Sequence, residues 1–591
     1  MLYRRGDTFT RLDDYQSPGW AVVTGELGGM MTVGWGDNIS TEGGFRYEAG
    51  YPSGRSASEP LVVAAWGDPV EPRPVIHGGF SVIGQLRNAV VSSLDIQPSS
   101  NPLLPGNRYG LNFGNPAESV YGAWRNVIIE DCRSQGHSMI AISGGGPSTN
   151  LVLRRCVYAD GWNADGHNSS PFNGLADGAR LTFEECVFDR NGYKENPDDA
   201  TRWTGDYVSS LSVGGADGLA EPGTGVQPTR TWFDRNWYMS GAAGDTLVLR
   251  GNIAARTGGG AEQMRSGGVA ERNLFLFEHD GLMMGAPEDS YGVHDTLVKQ
   301  NVFLHDDVML PPGGWGMNNF AQGGTAVIAD NVFAHPHPRG TFGQNGPGSF
   351  FLWNSRNYEQ IPRVLVDNVF RASRSRGFAT QRSGESLDHP ILTVTGNRFA
   401  IDTPTGYGLG GVSRASKSAA DTVDGNMYLG DPNASRFTAG YSGSPQGIVS
   451  TNRSFLQWQA DGYDTASEMI ANWESFKAAA GWTAPDRDIV SYMQSIDPTY
   501  APDENVRVDF GVAVPQGNAA MVRTVVLGTG ATGMTDAEAR LAAKRFHAAV
   551  TFLERARENR KGNWDDRYTA DAVNDYIRQG FGKGSIRPGS N

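Results

Sequence analysis

Short stretches in which apolar and polar residues alternate recur along most of the chain, and each closes on one phrase: an apolar run, a Cys or Asn, then apolar-x-aromatic. VIIEDCRS, LVLRRCVY and LTFEECVF place Cys132, Cys156 and Cys186 in that slot. Later copies such as LVKQNVF, VIADNVF and VLVDNVF fill it with asparagine, giving Asn236, Asn252, Asn273, Asn301, Asn331, Asn368, Asn397 and Asn426. Alternation at period two, built from β-branched and aromatic residues, predicts short strands. The spacing runs from 16 residues (Asn236 to Asn252) to 50 (Cys186 to Asn236), and the shortest interval leaves no room for a helix between strands. A constant motif separated by variable lengths is the signature of a solenoid, whose repeats bury apolar faces against neighbours and take insertions on one side. The expected fold is therefore all-β, a right-handed parallel β-helix, in which an Asn at one turn of every coil stacks its amide on the amides above and below.

The same register places the three cysteines above one another as a buried thiol stack. Their odd number and the lack of a Cys-x-x-Cys pair argue against a disulfide framework, a metal centre or a catalytic thiol.

Three regions are expected: entry strands and a cap over 1–80, the coils over 81–435, and an extension with helices over 436–591. In the last, the spacing predicts helices over 468–482, over 535–560 with a Thr535/Glu538 capping box, and over 569–581 ending at Gly580. These suit the covering of coil surface that would otherwise be exposed.

With 591 residues, 39% hydrophobic and 19% charged, the chain can bury a large core. Its net charge of −14 disfavours a nucleic-acid partner, which requires a basic face. No apolar run reaches the length of a membrane span. The opening MLYRRGDTF lacks the succession of an export signal and reads as an interior strand, so a secreted or periplasmic protein missing its leader is expected, acting as a monomer.

The longest gaps between slots and the richest supply of His, Asp, Arg and Tyr point to the middle coils as the site. Counting back from each slot, Arg265 stands eight residues before Asn273, Asp245 seven before Asn252 and His294 seven before Asn301. To within one residue these share a register in successive coils. Glu262 and Tyr238 lie close enough in sequence to join them as catalytic candidates. Arg250, Trp237, His279 and Asp280 are candidates for holding substrate. His335 and His337 stand in a proline-rich loop as a possible metal pair. No cofactor is firmly implied; calcium at Asp198–Asp199 or Asp306–Asp307 is conceivable, although no Asp-x-Asp-x-Asp-Gly loop occurs.

The phrase Gln-Met-Arg265-Ser-Gly-Gly with the following Asn273-Leu-Phe resembles the Arg-His-Gly segment and next coil of chondroitinase B and the alginate lyases of polysaccharide lyase family 6. The likeness covers about fifteen residues. It implies that Arg265 steadies a uronate. In that family a lysine one coil earlier removes the C5 proton; the matching SGAAGDTLVLRGN offers Asp245 and Arg250 instead. The sequence thus supports a polysaccharide lyase first, with a glycoside hydrolase using Asp245 and Glu262 or Asp280 as the alternative, and a non-catalytic glycan-binding rod as a third reading.

Overall fold

The structure, a computed structural model, describes strands and corners between residues 2 and 439, the stretch 451–504, the strand pair Arg507–Val512 and Val522–Leu527, and residues 536–587. Statements below concern those residues. Contacts divide the chain into two units: Met1–Gly260 with Gln516–Ala520 and Leu553–Thr569, and Ala261–Pro515 with Met521–Phe552 and Ala570–Asn591.

The fold is a right-handed parallel β-helix with C-terminal helices. In the first unit, sheet 1 runs through Met30–Gly34, Leu61–Trp66, Gln85–Ser92, Ala123–Glu130, Leu151–Arg154, Arg180–Glu184 and Thr246–Arg250, all parallel. Its first member also takes Leu2–Arg5 antiparallel. Sheet 2 stacks Asn38–Ser40, Val75–His77, Asp95–Gln97, Arg133–Gln135, Val157–Ala159, Val187–Asp189 and Ile253–Ala255. Parallel pairing is thus already established upstream of residue 81. In the second unit, sheet 1 continues the pattern from Gly268–Glu271 to Thr422–Asp424, and sheet 2 from Leu274–Leu276 to Glu468–Ile470. Its sheet 3 comprises Glu262–Met264, Leu282–Met284, Met317–Asn319, Phe350–Asn354 and Ala379–Arg382.

The corner between sheets 1 and 2 explains the repeated slot. The residue before it adopts left-handed backbone, as in Asp131, Arg155, Glu185, Arg272, Gln300, Asp330 and Asp367, with φ from 54° to 59°. The slot residue follows with its side chain buried. Glycine takes the left-handed position at Gly396, where an added Cβ would stand 2.3 Å from Asp367 Oδ1.

In the second unit the asparagines form a continuous ladder. The backbone N–H and Nδ2 of Asn301 both donate to Asn331 Oδ1 at 3.0 Å, and those of Asn331 to Asn368 Oδ1 at 3.0 Å. Each Nδ2 also reaches a carbonyl of sheet 1: Asn331 to Val298 at 3.0 Å, Asn368 to Ile328 at 2.9 Å, Asn397 to Leu365 at 2.9 Å. The last rung, Asn426, gives its Nδ2–H to Asp464 Oδ1 and its N–H to Ser467 Oγ. In the first unit thiols do part of this work. Cys156 Sγ–H donates to Ile129 O and Cys186 Sγ–H to Leu153 O, matching the bond Asn252 Nδ2 makes to Phe183 O. All three cysteines are free and buried, as the shared register requires.

Beside the second unit's ladder runs an aromatic stack, Phe275, Phe303, Phe333, Phe370, Phe399 and Tyr428, with centroids 4.5–5.0 Å apart and planes within 10°. It is the x-aromatic of the repeated phrase, set inward by the pleat. Phe437, Phe455 and Trp458 close its end.

Two sequence expectations are corrected here. Asn236 is not a rung of the ladder: the strand after it, Tyr238–Met239, lies outside sheets 1 and 2, and its Oδ1 accepts from Asn191 Nδ2 at 2.7 Å at a different corner. WFDRNWY has the composition of the phrase, but the strand that follows it belongs to a different sheet from the strands that follow the slots. Residues 468–482 are not one helix: Glu468–Ile470 adds a strand to sheet 2 beside Met427–Leu429, and helix α2 follows at Trp473–Ala479, capped by Asn472. The remaining helices are α1 (Phe455–Ala460), α3 (Ile489–Ile496), α4 (Asp536–Glu558) and α5 (Ala570–Gly580).

Candidate functional site

The three sheets differ in what covers their outer faces. Sheet 1 alternates buried and half-buried residues, as in Leu151–Arg154 and Thr296–Lys299, so its outer face reaches solvent. Sheet 2 is buried on both faces: Val157–Ala159, Leu274–Leu276 and Val302–Leu304 have no exposed member. Its cover is the C-terminal segment.

In the first unit, Arg557 donates to Asp160 Oδ2 at 2.5 Å and Asp189 Oδ2 at 3.1 Å, while Arg256 forks onto both oxygens of Asp189. Burial alone would raise the Asp189 carboxyl, yet Arg256 and Arg557 hold it below the usual carboxylate range. Arg73 bridges Asp131 and the Asn559 carbonyl, and the Lys561 N–H donates to Asp131 Oδ1. In the second unit, α5 gives Asn574 Nδ2 to the carbonyls of Arg272 and Asn273, Asp571 to Arg272, and Arg578 to Asp330. α4 lays Phe546 edge-on against Phe277, and its Arg545 pairs with Asp488 at the start of α3. These closures remove the outer face of sheet 2 from consideration as a groove and leave the outer face of sheet 1; in sheet 3 the residues of Glu262–Met264 and Leu282–Met284 are all buried as well.

The candidates distribute as follows. Arg265, Asp245, His294, His279, Asp280 and His337 lie outside the described residues, as do Asp198–Asp199 and Asp306–Asp307. The sheet 1 strands begin at Thr246, Gly268 and Thr296, in each case after the candidate that was counted back from its slot. Glu262 is fully buried and opens the sheet 3 strand that immediately precedes Arg265 in the chain; Leu282 pairs with it in register. Tyr238 is in a strand, and its side chain is outside the described set. Arg250 sits at the outer face of sheet 1, 3.4 Å from Glu184 and about a third exposed.

Trp237 is a correction. It is fully buried, edge-on to Phe188 at 5.1 Å and tilted against Phe183 at 6.5 Å, so it fills the core and has no face to offer a sugar. An aromatic beside Tyr and Asn reads the same whether it fills a coil or lines a groove, because the phrase itself puts aromatics inside.

His335, considered with His337 for a metal, is buried beside His305. The His305 Nδ1–H donates to the His335 carbonyl at 3.0 Å, and their rings lie 6.2 Å apart beneath α4. Among the described residues no cluster of three or more His, Cys, Asp or Glu could hold a metal ion.

The register of sheet 3 exposes positions that sequence reading missed. It aligns Trp353 with Gln381, Asn354 with Arg382, and Asn318 with Met283 and Phe351. These strands carry no Cys/Asn slot, so nothing in the repeat marked them.

No family model and no curated protein matches the chain. Among solved structures, the tailspike protein of E. coli bacteriophage HK620 in complex with a pentasaccharide is similar at 10% identity, over 70% of this chain and 72% of that one, with a TM-score of 0.30. A double mutant of the periplasmic alginate epimerase AlgG is similar at 11% identity, over 64% and 71%, with a TM-score of 0.21. No helix among the described residues is long and apolar enough to cross a membrane. By its own sheets and corners, the chain is a right-handed parallel β-helix protein.

Proposed function

We propose that the chain is an extracellular or periplasmic polysaccharide-acting protein that cleaves an acidic glycan by β-elimination. The observation that supports this reading is the setting of the strand leading to Arg265. Glu262–Met264 belongs to sheet 3, in line with Leu282–Met284, Met317–Asn319, Phe350–Asn354 and Ala379–Arg382. Parallel strands at about 4.8 Å offer equal steps to a repeating linear polymer.

In this reading the Arg265 guanidinium neutralises a uronate carboxylate, which makes the C5 proton acidic enough to be removed by Tyr238 or His294. The electron pair freed from C5–H forms the C4–C5 double bond as the glycosidic C4–O bond breaks. The alternative, hydrolysis by Asp245 with Glu262 or Asp280, would leave no double bond.

Incubation with a panel of acidic and neutral polysaccharides, following ultraviolet absorbance and reducing ends together, tests the proposal. Both signals on a uronate polymer, with Arg265→Ala lowering the rate at least about 100-fold, are expected. Reducing ends without absorbance would replace elimination with hydrolysis, and saturable binding without turnover would replace both with a binding role.

A further inference from the structure

We propose that helix α4 is an acid-released clamp: its seat on the second unit is built on neutral histidines, and protonating them lifts α4 off the coils while α5 stays in place. Three successive sheet 2 strands of this unit, Leu274–Leu276, Val302–Leu304 and Val332–Ala334, are each followed by a residue in left-handed backbone. These residues are Phe277, His305 and His335, with φ of 54°, 61° and 51°. Phe546 of α4 stands edge-on to Phe277 at 5.5 Å, and the His305 ring lies 5.1 Å from Phe277 and 6.2 Å from His335.

The hydrogen bonds fix where the protons are. The His335 carbonyl can only accept, so the His305 ring carries its proton on Nδ1 and leaves Nε2 bare. The Nε2 atoms of His305 and His335 are both buried and have no partner among the described residues. A proton added to either would create an N–H without an acceptor, on a cation cut off from water. The charges facing the pair give no relief. Arg545 comes from α4, Asp488 from the start of α3 and Arg371 from sheet 2. Asp488, the acid among them, is already taken: Oδ2 pairs with Arg545 at 2.8 Å and Oδ1 caps the Ser491 N–H. Arg371 has its own carboxylate in the exposed Asp486. Each imidazolium would face the other ring and two guanidinium groups against one committed carboxylate.

The opposite side of α4 is held in the same way. His547 Nδ1 accepts from the Asp503 N–H and the Tyr500 hydroxyl, each at 3.2 Å, so that nitrogen is also unprotonated. The ion pairs of Glu504 with Arg540 and Lys544 persist in weak acid, because the Lys544 hydrogen bond and charge keep the carboxyl below its usual range. The described contacts of α5 with the coils contain no histidine. Asn574 donates to the Arg272 and Asn273 carbonyls, Asp571 pairs with Arg272, and Arg578 pairs with Asp330. Burial would raise the Asp330 carboxyl, but Arg578 and Lys583 hold it low.

With α4 seated, burial and then Arg545 keep His305 at about 3; with α4 lifted, the ring returns to the free value near 6.5. The seat is therefore fully stable above 6.5 and loses stability as pH falls from there. Between pH 7 and 5 the balance moves toward release about 25-fold through this ring alone.

Hydrogen exchange of the full chain, read by mass spectrometry at pH 7 and 5 and corrected for the intrinsic rate, tests the proposal. Peptides from 541–552 in α4 are expected to lose protection at least about 20-fold, while those from α5 and from the sheet 1 strand Ala326–Ala329 keep theirs. In His305→Asn/His335→Asn/His547→Asn, asparagine tolerates left-handed backbone and takes up no proton, so α4 protection should agree at the two pH values within about threefold. Joint loss by α4 and α5, unchanged protection of α4, or a pH dependence that survives the three substitutions would overturn the proposal. The comparison of α4 with α5 is made on the wild type, so it decides the matter even if the variant does not fold.

Discussion

At the scale of the residue, one side chain per coil satisfies groups on two sides at once. Asn331 accepts from the N–H and Nδ2 of Asn301 and donates to the Val298 carbonyl. Replacement by alanine takes the Asn331 partner from the buried Asn301 N–H and Val298 carbonyl, while Asn301 Nδ2 keeps the Ala270 carbonyl, so Asn331→Ala is expected to cost about 2–4 kcal/mol, read from the urea midpoint. Asn331→Cys should cost markedly less, because a thiol still reaches the same carbonyl, as Cys186 does with Leu153. This residue scale was the most legible in the sequence, since an invariant slot in a variable frame has few physical explanations. It failed at Asn236, where a phrase of the right composition leads into a different sheet, and at Trp237, where composition says nothing of which way a side chain turns.

At the scale of the element, the second corner of the second unit holds a pH-sensitive arrangement. His305 and His335 are buried, with Phe277 against the first ring, Phe546 against Phe277, and Arg545, Asp488 and Arg371 as the surrounding charges. Burial, then the Arg545 charge, pushes His305 down to about 3, and His335 is likewise held well below its usual value; Asp488 opposes the shift for both. A base whose pKa is depressed by folding contributes stability that is fully present above its unfolded value, near 6.5, and is lost as pH falls from there toward 3. From His305 alone the loss between pH 6.5 and 5 is about 2 kcal/mol. Thermal melts of the wild type should therefore fall over that range, and His305→Phe should flatten the dependence. Sequence reading considered His335 with His337 as a metal pair in a proline-rich loop and passed over His305, because the charges around them come from residues 488 and 545, far away in the chain. The strand at Glu468–Ile470 was hidden for a similar reason: its pattern suits a helix, and pairing with Met427–Leu429 overrides that preference.

At the scale of the whole molecule, the C-terminal segment is what distinguishes one flank of the coils from the others. Helices α4 and α5 were legible from period, but their destination was not. Arg557 and Asp189 are separated by 368 residues, and no local pattern links them. Arg557→Ala strips one cation from two buried carboxylates, leaving Arg190 and Gln135 on Asp160 and Arg256 on Asp189, and it is expected to destabilise the first unit by about 3 kcal/mol. Arg557→Lys should recover part of this, since a point charge cannot reach both acids as the planar fork does. Differential scanning calorimetry of both variants decides the point.

The ladder also has a polarity. In the second unit every amide presents its oxygen toward the preceding coil and its NH₂ toward the next, so the small dipoles of successive side chains align head to tail and add along the stack. Their positive end emerges at Asn426. The group that meets it is the carboxylate of Asp464, which also gathers the Tyr428 hydroxyl and the Trp458 indole N–H. A row of uncharged amides thereby ends on a counter-charge, much as a helix N-terminus favours an anion, and the fold has a chemically defined last coil.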